Sequence, residues 1–227
     1  MNILVIADIH GHSDRLERVL ENIDMKDVDL VICPGDFTDM FSQTAEFSQL
    51  DIAEFVLQKL LALGKPLLCV PGNQNPYEIL GMFDEYDVNL HNRVVKFQGM
   101  NIMGWGGAPT PFNTIFEPSD GETKEALDKM GSKAGAGKFM LVVHDPPKNT
   151  KVDLVEAGKH VGSPVIRKFI EGKKPLLAIS AHIHEAGGLD RIGSTQVFYP
   201  GPVFEGWYGV VSLEGKDVKC ERKRVKV

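Results

Sequence analysis

Five short segments of the chain contain residue types that bind divalent metals, and each comes soon after a run of apolar residues. In chain order they are Asp8-Ile9-His10, Gly35-Asp36, Gly72-Asn73, His144 and His182-Ile183-His184. Carboxylate, amide and imidazole groups without thiolate suit Mn, Fe, Zn, Co or Ni. Two such ions side by side would bind and polarise a phosphoryl group. The segments lie far apart in sequence, so they form one site only if the fold gathers them at one edge.

Each segment alone has an ordinary explanation. Asp closes many turns, and the Gly-Asp and Gly-Asn pairs are typical of turns. His144 follows a buried strand, where a hydrogen-bonded core histidine is the commoner case. His182 and His184 differ, because alternate residues of an extended backbone lie on the same side and can face the same metals. The presence of all five segments in one chain is better explained by a metal site than by chance.

The elements that would position these residues follow from the apolar pattern. Runs at 3–6, 30–33, 67–70, 139–143 and 176–179 predict buried strands. Apolar residues at helical spacing predict one helix over 16–23, capped by Ser13 or Asp14, and another over 50–61 that ends before Gly64. The resulting β-α-β-α-β order indicates parallel strands, which bind ligands at their carboxyl ends.

The later part of the chain has a different pattern. Short strands are predicted at 94–97, 101–105, 196–199, 208–213 and 218–225, which indicates a second, more antiparallel sheet. A helix over 165–170 would have Ser163 as its N-cap. The Gly-rich stretches at 106–118 and 131–137 are interpreted as surface loops. We find no linker or repeat, and expect residues 1–227 to form a single domain.

Composition limits the functional classes. The chain has 227 residues, 43% hydrophobic and 25% charged, with a net charge of −6 and a pI near 5.7. The acidic balance argues against extended nucleic-acid or anionic-membrane binding. The three cysteines are few and odd in number, which favours free thiols. The N-terminus has no basic or cleavable leader, so we expect a cytoplasmic protein. No apolar run has membrane-spanning length.

The five segments resemble the pattern of calcineurin-like metallophosphoesterases, which is Asp-x-His, Gly-Asp, Gly-Asn-His-Glu/Asp, His and Gly-His-x-His. The similarity extends from residue 8 to residue 184. It implies an α/β fold, a four-layer α-β-β-α sandwich in which helices flank two mixed sheets, with the metal site at the carboxyl ends of the strands. It also implies two divalent metal ions, of which manganese is the first choice.

The resemblance implies a specific ligand set. One metal would be bound by Asp8, His10, Asp36 and His184, and the other by Asp36, Asn73, His144 and His182. Asp36 would bridge the two ions, whose shared hydroxide would attack phosphorus in line with the leaving group.

The sequence departs from the family pattern at two places. Gln74 and Asn75 replace the usual His and acid after Asn73, and Ala181 replaces a Gly, which adds only a methyl group. An amide donates a neutral hydrogen bond but cannot act as an acid. Diesters or nucleotide-type substrates are therefore favoured over monoesters of ordinary alcohols. His12 or His160 could substitute for the missing acid, so Asn73, Gln74 and His160 are the catalytic candidates.

The main hypothesis is a binuclear metal-dependent phosphoesterase that acts on a small phosphoester, with a phosphodiester or nucleotide-type substrate favoured over a monoester. The alternative is a catalytically weakened metal-binding scaffold of the same fold that acts through protein–protein interaction. A nuclease is a third hypothesis, opposed by the acidic charge. Phe112 and Phe116 could stack on a substrate ring or pin their loop to the core. A homo-oligomer is left open.

Overall fold

The computed structural model describes residues 1–41, 46–135, 139–215 and 217–227. Its first sheet has five strands: β1 (Asn2–Val5), β2 (Leu30–Cys33), β3 (Leu67–Cys69), β10 (Trp207–Glu214) and β11 (Asp217–Arg224). Their spatial order is β11-β10-β1-β2-β3. The strands β1, β2 and β3 are parallel, whereas β10 and β11 are antiparallel additions at one edge.

The second sheet has six strands: β4 (Arg93–Phe97), β5 (Met100–Trp105), β6 (Phe139–Val143), β7 (Leu177–Ile179), β8 (Gly188–Ile192) and β9 (Thr195–Tyr199). Their order is β4-β5-β6-β7-β9-β8, with a parallel centre formed by β5, β6, β7 and β9. Antiparallel strands β4 and β8 form the two edges. Both sheets are therefore mixed.

Helices cover the outer face of each sheet. They are α1 (Ser13–Glu21), α2 (Gln49–Leu61), α3 (Ile79–Glu85), α4 (Asp120–Ala134) and α5 (Pro164–Lys173). The first three pack on the first sheet in one apolar cluster, and α4 and α5 pack on the second sheet in another. A third cluster fills the space between the sheets, where Ile3, Ile32 and Val142 are buried. The prediction of a four-layer α-β-β-α sandwich is confirmed.

The second sheet is present, but the expectation that it would be the more antiparallel one was wrong. The segments predicted at 208–213 and 218–225 form β10 and β11, which extend the first sheet because β10 pairs with β1. The cap predicted for the first helix was also wrong: its N-cap residue is His12, which makes no side-chain capping bond. Ser163 does cap α5, and its side chain accepts from the backbone N–H of Ile166.

The loop expected over 131–137 was wrong at its start, because residues 131–134 belong to α4. Residues 136 and 137 lie outside the described part of the chain. Gly131 has a packing reason: a Cβ there would lie 2.9 Å from the ring of Phe169 on α5, so glycine lets the two helices approach closely. Across the described residues, we find no helix long and apolar enough to cross a membrane.

Candidate metal centre

The seven candidate ligands lie in the loops that follow β1, β2, β3, β6 and β7. Asp8 and His10 follow β1, Asp36 follows β2, and Asn73 follows β3, so the first sheet supplies the oxygen ligands and one imidazole. The second sheet supplies His144 directly after β6, and His182 and His184 after β7. These side chains meet where the carboxyl ends of the parallel strands of both sheets come together.

Unusual backbone conformations are concentrated at this meeting point. Asp8, His10, Asp36 and His182 have φ angles of 50°, 50°, 52° and 78°, in the left-handed region that residues other than glycine rarely adopt. Such conformations persist only where the surrounding structure enforces them, and they occur often at functional sites. The loops therefore hold these side chains in orientations that ordinary turns would not give.

Two glycines of the motifs allow the loops to approach one another. A Cβ on Gly35, whose φ is +118°, would lie 2.5 Å from Nδ1 of His144 and 2.7 Å from the backbone N of Gly72. A Cβ on Gly72 would overlap the Asp36 carboxylate. Glycine is thus required at both positions because any larger residue would push His144 or Asp36 out of the site.

The ligand atoms form two groups that share Asp36. Group one consists of Asp8, His10, Asp36 and His184, and group two contains Asp36, His144 and His182, with the ligand atoms of each group within 4.8 Å of one another. Asn73 adjoins group two, because its Oδ1 lies 2.9 Å from Nε2 of His144. The structure therefore brings together all seven residues that the sequence indicated.

The two groups are in contact through a single oxygen. Oδ2 of Asp36 lies 3.5 Å from Nε2 of His10 in group one and 3.4 Å from Nε2 of His144 in group two. Within group one, Nε2 of His10 lies 3.0 Å from Nε2 of His184. A carboxylate placed between two sets of imidazole nitrogens has the geometry of a bridging ligand.

Hydrogen bonds from neighbouring backbone and side-chain groups orient Asp8 and His144. Tyr199 donates its hydroxyl to Oδ2 of Asp8 at 2.6 Å, and the backbone N–H of His182 donates to Oδ1 at 3.2 Å. Nδ1 of His144 donates to the carbonyl oxygen of Pro34 at 2.9 Å. A ring nitrogen anchored in this way leaves the opposite nitrogen, Nε2, directed toward the site.

Burial and the Asp36 carboxylate shift the pKa values of the imidazoles in opposite directions. It lowers the pKa of His182 to about 3 and holds the pKa of His184 below its ordinary value. Burial acts against ionisation of Asp36, yet the attraction of His144 and His10 outweighs it and the pKa of that carboxyl is lowered. The same attraction outweighs desolvation at His144, whose pKa is raised to about 9. A neutral imidazole is the form that binds metal, so His182 and His184 are already in that form near neutral pH, whereas His144 would have to release a proton.

The charge of the site supports a fit to divalent metal. Asp8 and Asp36 are fully buried, and among the described residues no lysine or arginine forms an ion pair with either. Buried carboxylates normally pair with a cation or coordinate a metal, because an isolated buried charge is costly. Oxygen and imidazole nitrogen ligands with one shared carboxylate therefore fit two divalent transition metals.

Gln74 and Asn75 stand where the family pattern has His and an acid, and in this chain both amides make structural hydrogen bonds. Oε1 of Gln74 accepts a hydrogen bond from the backbone N–H of Met40 at 3.2 Å, while the backbone N–H of Gln74 donates to Oδ1 of Asp36 at 3.0 Å. Asn75 is buried, accepts from the N–H of Gly72 and donates to Thr38. Both amides therefore tie the loop after β3 to the loop after β2.

His12 and His160, the two histidines that could replace the missing acid, lie in different surroundings. His160 is 37% exposed at its side chain, and its Nδ1 lies 2.8 Å from Oδ1 of the buried Asp153. The described contacts of His160 are with Asp153 and Leu154, not with the seven candidate ligands. His12 precedes α1, and its ring centre lies 5.5 Å from that of Phe204. A catalytic role for His160 stays a prediction.

Four residues near the site were missed from the sequence. Tyr199 contacts Asp8, Phe204 packs edge-on against His10 and His184, and Thr114 accepts from Nδ2 of Asn73 at 3.1 Å. Asp145 follows His144 and is buried, which raises the pKa of its carboxyl well above the ordinary value. Only Asp145 had a sequence signal, its adjacency to His144. The others are distant in sequence from the motifs.

The two aromatic residues of the 106–118 loop differ in exposure. Phe116 is buried and packs against Tyr77 and His91, so it pins the loop to the core. Phe112 is 72% exposed. The pinned loop places Thr114 against Asn73 and so supports group two.

Comparison with known proteins agrees with this geometry. The sequence profile described as calcineurin-like phosphoesterase matches residues 1–186. An uncharacterised protein of Methanocaldococcus jannaschii is 36% identical over 210 residues, which cover 89% of this chain and 88% of that protein.

Two solved structures illustrate the range of proteins with this fold. A dimetal phosphatase from Danio rerio has a TM-score of 0.64 at 14% identity, over 100% of this chain and 97% of its own. An archaeal phosphodiesterase has a TM-score of 0.52 at 14% identity, over 98% and 100%. At such identity the likeness shows the fold alone.

Proposed function

The chain belongs to the calcineurin-like phosphoesterase family, and on that basis we propose that it hydrolyses phosphodiesters of the nucleotide type with the help of two divalent metal ions. The observation that supports the proposal most directly is the convergence of two ligand groups on the shared carboxylate of Asp36. A single metal would not require both groups.

The proposed ligand sets assign each side chain a role. Asp8, His10 and His184 would bind one ion and Asn73, His144 and His182 the other, and Asp36 would contribute to both sets. When bound, the two ions supply positive charge to the phosphoryl oxygens and lower the pKa of a shared water so that it can attack phosphorus. Oxygen and imidazole nitrogen ligands without thiolate suit Mn, Fe, Zn, Co or Ni, and of these we propose manganese as the first metal to test.

The residues around the two groups would keep the ligands in position. Tyr199 would hold the Asp8 carboxylate by donating its hydroxyl, and the Gln74 backbone N–H would hold Oδ1 of Asp36. Thr114 would fix the Asn73 amide so that Oδ1 faces His144. This support matters for rate, because phosphoryl transfer depends on positioning and electrostatic stabilisation more than on covalent chemistry.

The preference for diesters follows from the chemistry of the Gln74 side chain. Its amide can give a departing oxygen only a neutral hydrogen bond, and its carbonyl oxygen is already bound to the Met40 backbone. General acid catalysis contributes typically 10²–10⁴-fold, so esters with poor leaving groups should lose most. His160, oriented by Asp153, is proposed as a supplementary group toward the substrate.

The scaffold alternative is less well supported. A protein that acts only through protein–protein contacts has no need for two buried carboxylates and four histidines in strained loops at one point. We also propose a single domain, because β1 and β10 pair and join residues near both ends of the described chain. A cytoplasmic location is proposed from three free cysteines, two of them buried.

The test begins with metal analysis of the purified protein, followed by assays with added Mn²⁺ on an aryl phosphodiester, an aryl phosphomonoester and a cyclic nucleotide. We expect about two metal equivalents per chain and fastest turnover of the aryl phosphodiester. The control is Asp36→Asn, which removes the charge of the shared ligand. Hydrolysis no faster than that of the Asp36→Asn protein for all three substrates would refute the proposal.

A further inference from the structure

A cavity of about 530 Å³ is lined by Phe204, whose ring packs edge-on against His10 and His184 of group one. The cavity lies between α1 and the chain at the end of β11, where Val225 and Val227 complete its wall. Small-molecule sites in proteins have volumes of roughly 300–1,000 Å³. Phe204 therefore lies between group one and a cavity large enough for a small ligand.

Three cationic side chains line this cavity: Arg15, Arg224 and Lys226. Across the residues that the structure describes, none of the three forms an ion pair. Glu205 is the acidic side chain of the lining, and it is exposed. The whole chain has a net charge of −6, so a cavity in which cations predominate differs from the average surface. Such an excess of positive charge attracts an anion.

Backbone carbonyl groups hold the two arginines in place. Nη1 of Arg15 donates to the carbonyl oxygen of Phe204 at 2.6 Å, and Nε of Arg224 donates to the carbonyl oxygen of Glu205 at 3.0 Å. Cζ of Arg224 also lies 4.9 Å from the ring centre of Trp207. A guanidinium group has five N–H donors, so the described hydrogen bonds use only one of them on each arginine.

Two guanidinium groups anchored on consecutive carbonyl oxygens repel each other, and an anion between them relieves the repulsion. The planar fork of arginine matches the oxygens of a phosphate, which has enough acceptors for two arginines and a lysine. We infer that this cavity binds a phosphate group other than the one that is hydrolysed. That phosphate has two chemical sources, a second phosphate of the substrate and free inorganic phosphate. The inference goes beyond the proposed function, because this site requires no metal.

The first test measures binding of inorganic phosphate to the metal-bound protein by isothermal titration calorimetry. We expect two sites on the wild-type protein. Arg224→Gln should weaken one of them about tenfold, the lower part of the range for hydrogen bonds to charged groups, and Asp36→Asn should weaken the other. Arg224 is the better residue to change, because Arg15 also holds Phe204 beside His10. If no phosphate site of the wild-type protein responds to Arg224→Gln, the inference is wrong.

Two further variants separate phosphate binding from other effects of Arg224. Lys219→Gln removes a cation from the same strand outside the cavity and should leave both sites unchanged. Equal weakening in Lys219→Gln and Arg224→Gln would overturn the inference, since only net charge would matter. Arg224→Lys keeps the charge and should bind phosphate more tightly than Arg224→Gln. Equal affinity in these two variants would also overturn it, because Arg224 would then serve only to hold the Glu205 carbonyl.

A pair of substrates distinguishes the two sources of phosphate. Pentyl p-nitrophenyl phosphate and its 5-phosphorylated form differ by one phosphate at the end of a flexible chain. If the substrate supplies the phosphate, the phosphorylated ester has the higher kcat/KM with Mn²⁺, and Arg224→Gln abolishes that advantage. Equal kcat/KM values in the wild-type protein assign the cavity to free phosphate.

Failure of the proposed function gives a different result from failure of this inference. In that case neither ester is hydrolysed faster by the wild-type protein than by Asp36→Asn, whereas the phosphate site that responds to Arg224→Gln is still present.

Discussion

Group one and group two share Asp36, but they differ in charge and in access. Group one has two carboxylates, Asp8 and Asp36, and its His10 lines a cavity of about 650 Å³. Group two has one carboxylate, an amide and two imidazoles, and its His144 is fully buried. A more negative set of ligands attracts a divalent cation more strongly. On the proposed function, we therefore expect two metal sites of unequal affinity, with the stronger at group one.

The strongest test of this comparison is Asp36→Asn, because the change affects both groups together. We expect bound metal to fall well below two equivalents and kcat/KM for an aryl phosphodiester to fall on the order of 10³-fold, since several kcal/mol of charge stabilisation are lost. Metal analysis and initial rates measure the two effects. Asp128→Asn is the control, an exposed carboxylate paired with Lys124 on α4. Full metal content in Asp36→Asn would show that Asp36 does not bridge the groups.

The next test changes group one alone. Tyr199→Phe removes the hydroxyl that donates to Asp8, and loss of such a supporting bond typically weakens metal binding or activity 10–100-fold. Titration of metal-free protein with Mn²⁺ should show one weakened site and one unchanged site. Tyr208→Phe is the control, a mostly buried tyrosine on β10. Equal weakening of both sites would contradict the separation into two groups.

The corresponding change for group two is Thr114→Val, which removes the acceptor for Nδ2 of Asn73. We expect a smaller effect, about tenfold on the affinity of one site, because Asn73 also contacts His144. The same Mn²⁺ titration should show the loss at the site that Tyr199→Phe leaves intact. Thr195→Val is the control, a buried threonine at the start of β9 whose hydroxyl donates to the carbonyl oxygen of Pro175. If Thr114→Val weakened Mn²⁺ binding at the same site as Tyr199→Phe, the two groups could not be treated as separate metal sites.

The smallest expected effect comes from Gln74→His, which alters neither group. Metal content should stay the same, while the ratio of aryl monoester to aryl diester turnover should rise about three- to tenfold, because an imidazolium can protonate a departing oxygen. Gln74→Leu is the control, since it also breaks the bond to Met40 but offers no donor. If the ratio of monoester to diester turnover stayed the same in Gln74→His, residue 74 would not select the substrate.

The sequence predicted the buried parallel strands and the ligands at their ends, because an apolar run followed by Asp, Asn or His is visible locally. It did not predict that β10 pairs with β1, since partners about 200 residues apart leave no local pattern. The helix α4 was missed because Gly131 suggested a loop, although Ser119 and Glu122 form a capping box that marks its start.

The supporting residues of the site could not have been found in the same way. Tyr199 ends an ordinary buried strand, and only the fold shows that its hydroxyl meets Asp8. The cavity lined by His10 likewise combines that loop residue with Phe55 on the exposed side of α2, and exposed phenylalanine has no motif. Local sequence therefore indicated the candidate metal ligands, whereas the packing of the sheets and helices determined which residues surround them.

The pairing of β1 with β10 has a consequence for the order of events during synthesis. β1 lies between β2, made soon after it, and β10, which ends at residue 214. Chains emerge from the ribosome at about 5–20 residues per second, so β1 waits on the order of ten to forty seconds for its second neighbour. Asp8 follows that strand, and its partner Tyr199 is also made late. The metal centre should therefore mature only after nearly the whole chain has been translated.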